Sequence, residues 1–155
     1  MRLTDILEPG LILPDLAGQN KRELLNNFAA LLDDQNKIKD RSEFLEVILA
    51  REALGSTGIG EGIAIPHGKL GSIDNLVLSF GISRQGVDFD AMDGKPVYLF
   101  FVLIAPEDSP GDHLKALARI SRILKSTSFR ERLLATGNRD EIYRCIKEED
   151  EQYGP

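Results

Sequence analysis

Cysteine is nearly missing from this chain and tryptophan is wholly so: Cys145 is the single thiol in 155 residues. One cysteine closes no internal disulfide and builds no thiolate metal cluster. With three tyrosines and seven phenylalanines, there is little aromatic surface for stacking on bases or sugars. Basic side chains are the minority, 19 against 25 acidic ones, for a net charge of −6. No basic run is available to neutralise phosphates, which sets nucleic-acid binding aside. No apolar run reaches the roughly eighteen residues that a spanning helix needs. The opening MRLTDILEPG carries acids and lacks an apolar core of signal-peptide length. These absences lead to the expectation of a cytoplasmic protein without membrane insertion.

What is present suits an ordinary globular domain, 42% hydrophobic and 28% charged, of a length that buries a substantial core. Leu11-Ile12-Leu13, beside Pro14 and Gly18, reads as an edge strand or loop. In KRELLNNFAALLDD, Leu24, Leu25, Phe28, Leu31 and Leu32 recur on one face of a helix. DRSEFLEVILAREAL follows as a second helix, capped by Asp40 or Ser42, with Phe44, Leu45, Ile48 and Leu49 inward and Gly55 as its stop. Two nearly continuous apolar runs, Leu76 to Ile82 and Val97 to Ala105, read as strands covered on both faces. Asp93-Gly94 marks a turn between them. DHLKALARISRILKS predicts a third helix with Leu114, Leu117, Ala118, Ser121 and Leu124 in one register. RERLLATG reads as a short helix closed by Gly137, and Asp140 to Lys147 as the last one. The expected fold is α/β, a single-domain sandwich over residues 1–155 with a central mixed sheet flanked by helices. Residues 148–155 are expected to be a frayed acidic tail.

The most unusual stretch is GSTGIGEGIAIPHGKL, Gly55 to Leu70, with five glycines in sixteen residues and one of the chain's two histidines. It is not a phosphate loop of the Walker type, since Gly62 and Gly68-Lys69 are separated by five residues and no hydroxyl follows the lysine. Nor is it a dinucleotide fingerprint, because the third glycine after Gly58 and Gly60 would fall at Ile63. Two readings stay open on the residues alone. Glycines supply positive φ angles in turns, and Pro-His-Gly after a strand makes a plain corner. Alternatively, so many glycines beside the small Ser56 and Thr57 let backbone N–H groups and hydroxyls approach an anion.

The second histidine, His113, falls in the first turn of the third helix, sharing a face with Leu117, Ile120 and Leu124. It is either a satisfied helix-start residue or the partner of His67. In the second case the helix N-terminus disfavours its charged form, and a neutral ring orients His67 or donates to a phosphoryl oxygen. Arg51, at the end of the second helix, is either a solvated cation or a fixed positive charge for the same site.

Thr57 to Leu70, TGIGEGIAIPHGKL, together with the His-Leu of DHLKAL, resembles the active-site signature of fructose/mannitol-type enzyme IIA domains. These belong to the bacterial phosphoenolpyruvate-dependent phosphotransferase system. Within that type the stretch is most similar to the nitrogen-regulatory branch, and the resemblance spans nearly the whole chain. It implies a single type-2 IIA domain in which His67 is the phosphoryl acceptor. His113 falls on the second active-site histidine, Arg51 on the arginine before the glycine stretch, and Ser56 and Thr57 on candidate phosphoryl contacts. It implies an HPr-type phosphocarrier as donor, and either a IIB protein or regulatory targets as the recipient. No metal or organic cofactor is implied.

The chemistry agrees with these residue types. Phosphoryl transfer passes through a loose transition state, so the protein mainly positions groups and balances charge. A neutral imidazole attacks without a base, and a second histidine, an arginine and N–H groups stabilise the oxygens. No IIB or membrane segment is read within these residues, which favours the regulatory over the sugar-uptake role. A binding module in which His67 stays unmodified is a further reading. A zinc site on the two histidines lacks a third ligand at helical spacing.

Overall fold

The computed structural model describes residues 1–154. Two short 3-10 turns, Leu3–Asp5 and Pro9–Leu11, lead into β1 (Ile12–Leu13). Helices α1 (Lys21–Asp34) and α2 (Arg41–Ala53) follow, then three short strands, β2 (Gly58–Gly60), β3 (Ile63–Ala64) and β4 (His67–Leu70). The long strands β5 (Val77–Val87) and β6 (Val97–Pro106) precede α3 (Pro110–Ile123), α4 (Thr127–Ala135) and α5 (Arg139–Glu151).

Local chemistry sets the helix starts. The Asn20 side chain accepts the Glu23 N–H and opens α1, and Asp40 accepts the N–H groups of Ser42 and Glu43 to open α2. Asn138 does the same for α5 through Glu141. Each cap satisfies a donor that the first helical turn leaves free. In α3 Pro110 stands in the first turn, where its missing N–H is no loss.

The sheet is mixed, in the order β1-β5-β6-β3-β2. At its centre β6 runs antiparallel to β5 and parallel to both β3 and β4, which lie one after the other along its far side. Thus the α/β sandwich expected from the sequence is the observed architecture. Every residue from Val77 to Ser83, and nearly every one from Val97 to Pro106, is buried, as strands covered on both faces require. Phe80 packs on Phe101 across β5 and β6 with ring centroids 4.6 Å apart. Helices α1 and α2 pack on each other and on the sheet, as do α3 and α5.

Two features differ from the sequence expectation. The stripe that α3 buries is His113, Ala116, Ile120 and Ile123, so a register led by Leu114 is one residue out of phase. Leu114 itself is 67% exposed. The second concerns the tail. The last helix continues to Glu151, and residues 148–151 are not frayed: Asp150 is 1% exposed. Arg119 of α3 explains this, donating from Nε to Asp150 Oδ1 at 2.9 Å and from Nη2 to the carbonyl of Gly154 at 2.7 Å. The other carboxylate oxygen accepts the Leu3 N–H at 2.8 Å. A charge pair of this kind outweighs the fraying that an acidic composition suggests.

Removing one partner of a buried pair strands the other without compensation. Asp150→Ala is therefore expected to lower unfolding stability by about 3 kcal/mol in urea denaturation, with exchange of the Leu3 amide accelerated.

Candidate active site

The glycine stretch folds into a hairpin followed by an edge strand. Strands β2 and β3 pair antiparallel, joined by the two residues Glu61 and Gly62. Both have positive φ, +57° and +78°, the geometry of a two-residue hairpin turn whose twist matches its strands. Gly68 has a packing reason: a Cβ there would lie 2.7 Å from Val47 Cγ1 of α2. Several of the glycines thus serve the fold. The corner reading accounts for the turn, and a residue with another character stands just beyond it.

That residue is His67, the first of β4, set opposite Leu103 of β6. It is half-buried, and its Nδ1 lies 2.8 Å from the carbonyl oxygen of Ile65. A carbonyl only accepts, so Nδ1 carries the proton and Nε2 holds the free lone pair. The backbone thereby selects the ring nitrogen able to attack an electrophile.

His113 reaches the same place from α3. The two rings meet edge to face, centroids 5.6 Å apart and planes 70° apart. His113 is 7% exposed, and its Nε2 is buried without a hydrogen-bond partner among the described residues. Buried nitrogens of this kind are nearly always paired, so this one is poised for a group that joins the site. Burial, followed by the neighbouring His67 and Lys69 charges, pushes the His113 pKa below its ordinary 6.5. The ring is neutral near pH 7.

The remaining expected residues are placed less directly. Arg51, in the last turn of α2, is half-buried and donates from Nη1 to the carbonyl of Gly55 at 2.7 Å. It caps the entry to the glycine stretch with a fixed positive charge. Ser56 and Thr57 have hydroxyls engaged elsewhere. Ser56 Oγ donates to the Phe89 carbonyl at 2.6 Å, and the Thr57 hydroxyl donates to the Glu52 carboxylate. Neither offers a free O–H toward an anion at His67.

Two further groups lie close to these residues without a motif to mark them. The Ile65 carbonyl leaves no mark in a side-chain pattern. Glu52 does leave one, since it stands four residues beyond Ile48 on the inward face of α2, where an apolar residue is due. It is buried and lies 3.0 Å from Lys21 Nζ. Among the described residues no group of three or more His, Cys, Asp or Glu is arranged to hold a metal. No helix among the described residues is long and apolar enough to cross a membrane.

A mixed sheet between helices, with two histidines meeting where an edge strand and a helix begin, has the architecture of the enzyme IIA class. The chain belongs to the family "Phosphoenolpyruvate-dependent sugar phosphotransferase system, EIIA 2", whose match covers residues 5–149. It is 42% identical over 146 residues to a nitrogen regulatory protein of Bradyrhizobium diazoefficiens, covering 94% of this chain and 95% of that one. It is also 38% identical over 150 residues to the fructose-specific EIIABC component of Bacillus subtilis. That match takes in 97% of this chain and only 24% of the larger protein. The crystal structure of nitrogen regulatory protein IIA-Ntr from Neisseria meningitidis superposes with TM-score 0.87 at 34% identity, covering 93% of this chain and 98% of that one. The fold is shared with mannitol IIA of Escherichia coli, with TM-score 0.76 at 22% identity over 90% of this chain and 98% of that one.

The depressed His113 pKa has a consequence for stability. The unfolded chain binds a proton on this ring as the pH falls past 6.5, while the folded chain does not. The unfolded state then holds more protons, so stability is full above that pH and is lost as the pH drops toward the folded value. In urea denaturation at about pH 5.5 and about pH 7.5, His113→Gln is expected to show a smaller loss of stability on acidification than the parent chain.

Proposed function

We propose that this chain is a phosphoryl carrier: His67 accepts a phosphoryl group on Nε2 from the phosphohistidine of an HPr-type carrier and serves nitrogen-related regulation. The observation that carries this reading is the His67–His113 pair, with Nδ1 of one ring tied to a carbonyl and Nε2 of the other buried without a partner. The lone pair on His67 Nε2 attacks phosphorus, the P–N bond to the donor imidazole breaks, and that bond's electron pair returns to the donor ring. No base is needed to start, because Nε2 carries no proton. The His113 Nε2–H donates to an oxygen of the transferring group, and in doing so acquires the partner it lacks. Arg51, held on the Gly55 carbonyl, supplies fixed positive charge at the entry to the glycine stretch. Such preorganised donors act where charge collects in a loose transition state.

The regulatory assignment draws on the relatives named nitrogen regulatory protein, which this chain matches almost end to end. A second reading, transfer onward to a IIB protein in fructose or mannitol uptake, draws support from the fructose-specific relative. In both, the first half-reaction is the same.

The test is an intact mass of the chain after incubation with phosphoenolpyruvate, enzyme I and the carrier. It is run at neutral to mildly alkaline pH because phosphohistidine is acid-labile. One added phosphoryl mass is expected, and none in His67→Ala. His113→Gln and Arg51→Gln are expected to slow the gain by about 10²- to 10³-fold, as removal of one transition-state donor does. Robust labelling of His67→Ala would remove His67 from the role. Adding purified IIB and the regulatory target separately then distinguishes the two readings by which one discharges or binds the phosphorylated chain.

A further inference from the structure

Glu52 is a carboxylate to which phosphoryl transfer gives no task, and its side chain is 2% exposed. Among the described residues its cationic partner is Lys21 Nζ, 3.0 Å from Oε1. That ammonium also lies over the Phe89 ring, 4.6 Å from its centroid, and 3.4 Å from Asp90. A buried ion pair rarely adds stability over apolar residues of the same size, so stability is a weak reason for this one. What it holds is more informative. Thr57 donates its N–H to both carboxylate oxygens, at 3.2 Å and 3.3 Å, and its hydroxyl to Oε2.

From Thr57 the connection continues to the reacting ring. The Thr57 carbonyl accepts the Ile65 N–H at 3.1 Å, and the Ile65 carbonyl accepts from His67 Nδ1 at 2.8 Å. Between these two bonds Ile65 has little freedom. Its N–H is anchored, and the following Pro66 restricts it to extended backbone. The direction of its carbonyl is therefore set by where Thr57 is held.

We propose that Glu52 is a positioning residue for His67. By anchoring Thr57 it aims the Ile65 carbonyl at Nδ1, and so keeps the ring proton on Nδ1 and the lone pair on Nε2. A ring released from this bond is free to carry its proton on Nε2, which withdraws the reacting lone pair. The consequence for rate rests on the phosphoryl-carrier reading, whereas control of the tautomer is a property of the resting chain.

The experiment is nitrogen NMR of the full chain with ¹⁵N-labelled imidazoles, unphosphorylated and above neutral pH. With two histidines to assign, His67→Ala identifies the signals. Glu52→Gln, Thr57→Val and Thr57→Ser are compared with the parent, and each variant's fold is checked by thermal unfolding and its amide spectrum. The parent is expected to show His67 protonated on Nδ1. Glu52→Gln and Thr57→Val are expected to move His67 toward the Nε2–H form, while Thr57→Ser, which keeps both donors, retains the parental ring. In phosphoryl transfer the first two variants are expected to lose about tenfold in kcat, the cost of a small misplacement of a reacting group. KM for the carrier is expected to stay within about twofold, because partner binding is not the lost interaction. Folded Glu52→Gln and Thr57→Val chains with the parental tautomer would overturn the proposal. If Glu52→Gln does not fold, Thr57→Val decides alone. A parent chain that takes up no phosphoryl group would defeat the carrier reading while leaving the tautomer result standing.

Discussion

Everything at the histidine pair depends on one interruption in a sheet. Strand β6 pairs with the single strand β5 on one side, from Val97 to Ile104, but on the other side its neighbour is broken into β3 and β4 by Ile65-Pro66. Proline has no N–H to give to a ladder, and the chain passes this point while still contributing the Pro66 carbonyl to Leu103 N–H at 2.9 Å. Carbonyls alternate in direction along an extended chain, so with that of Pro66 turned to β6 the Ile65 carbonyl faces the other way, the side on which its own N–H meets Thr57. Because β4 resumes at once, His67 arrives two residues later with its ring within reach of that carbonyl.

The helices α1 and α2 and the two central strands were legible in the sequence because each rests on a periodicity of its own side chains. Phe44 and Ile48 declare a helix face, and Val97 to Ala105 a buried strand, without reference to distant residues. The errors all concern long-range partners. Nothing near Asp150 hints at Arg119, 31 positions away, so its acidic neighbourhood reads as solvated tail. Leu114 looks like the start of an apolar stripe, but the sheet surface selects the stripe that includes His113. The extent of the hairpin was hidden because β2 and β3 together show almost no alternation.

The site divides in the same manner. His67, His113 and Arg51 stand out as candidates through residue type and motif, and the structure brings the two histidines together. Ser56 and Thr57 share the neighbourhood of the motif without sharing its chemistry, since their hydroxyls turn to Phe89 and Glu52. Adjacency in the chain was no guide to direction in space. Two determinants of the resting ring, a main-chain carbonyl and a buried neutral imidazole, depend on surroundings that no single stretch of sequence encodes.

The Arg119–Asp150 cluster also determines how this domain can be joined to others. Asp150 accepts from Leu3, and Arg119 holds Gly154, so the two ends of the fold emerge side by side against α3. Neighbouring ends let a domain be inserted into another chain, or its termini be moved, with little disturbance to its core. A tether pulling on either end meets the same buried ion pair, at its carboxylate from the Leu3 side and at its guanidinium from the Gly154 side.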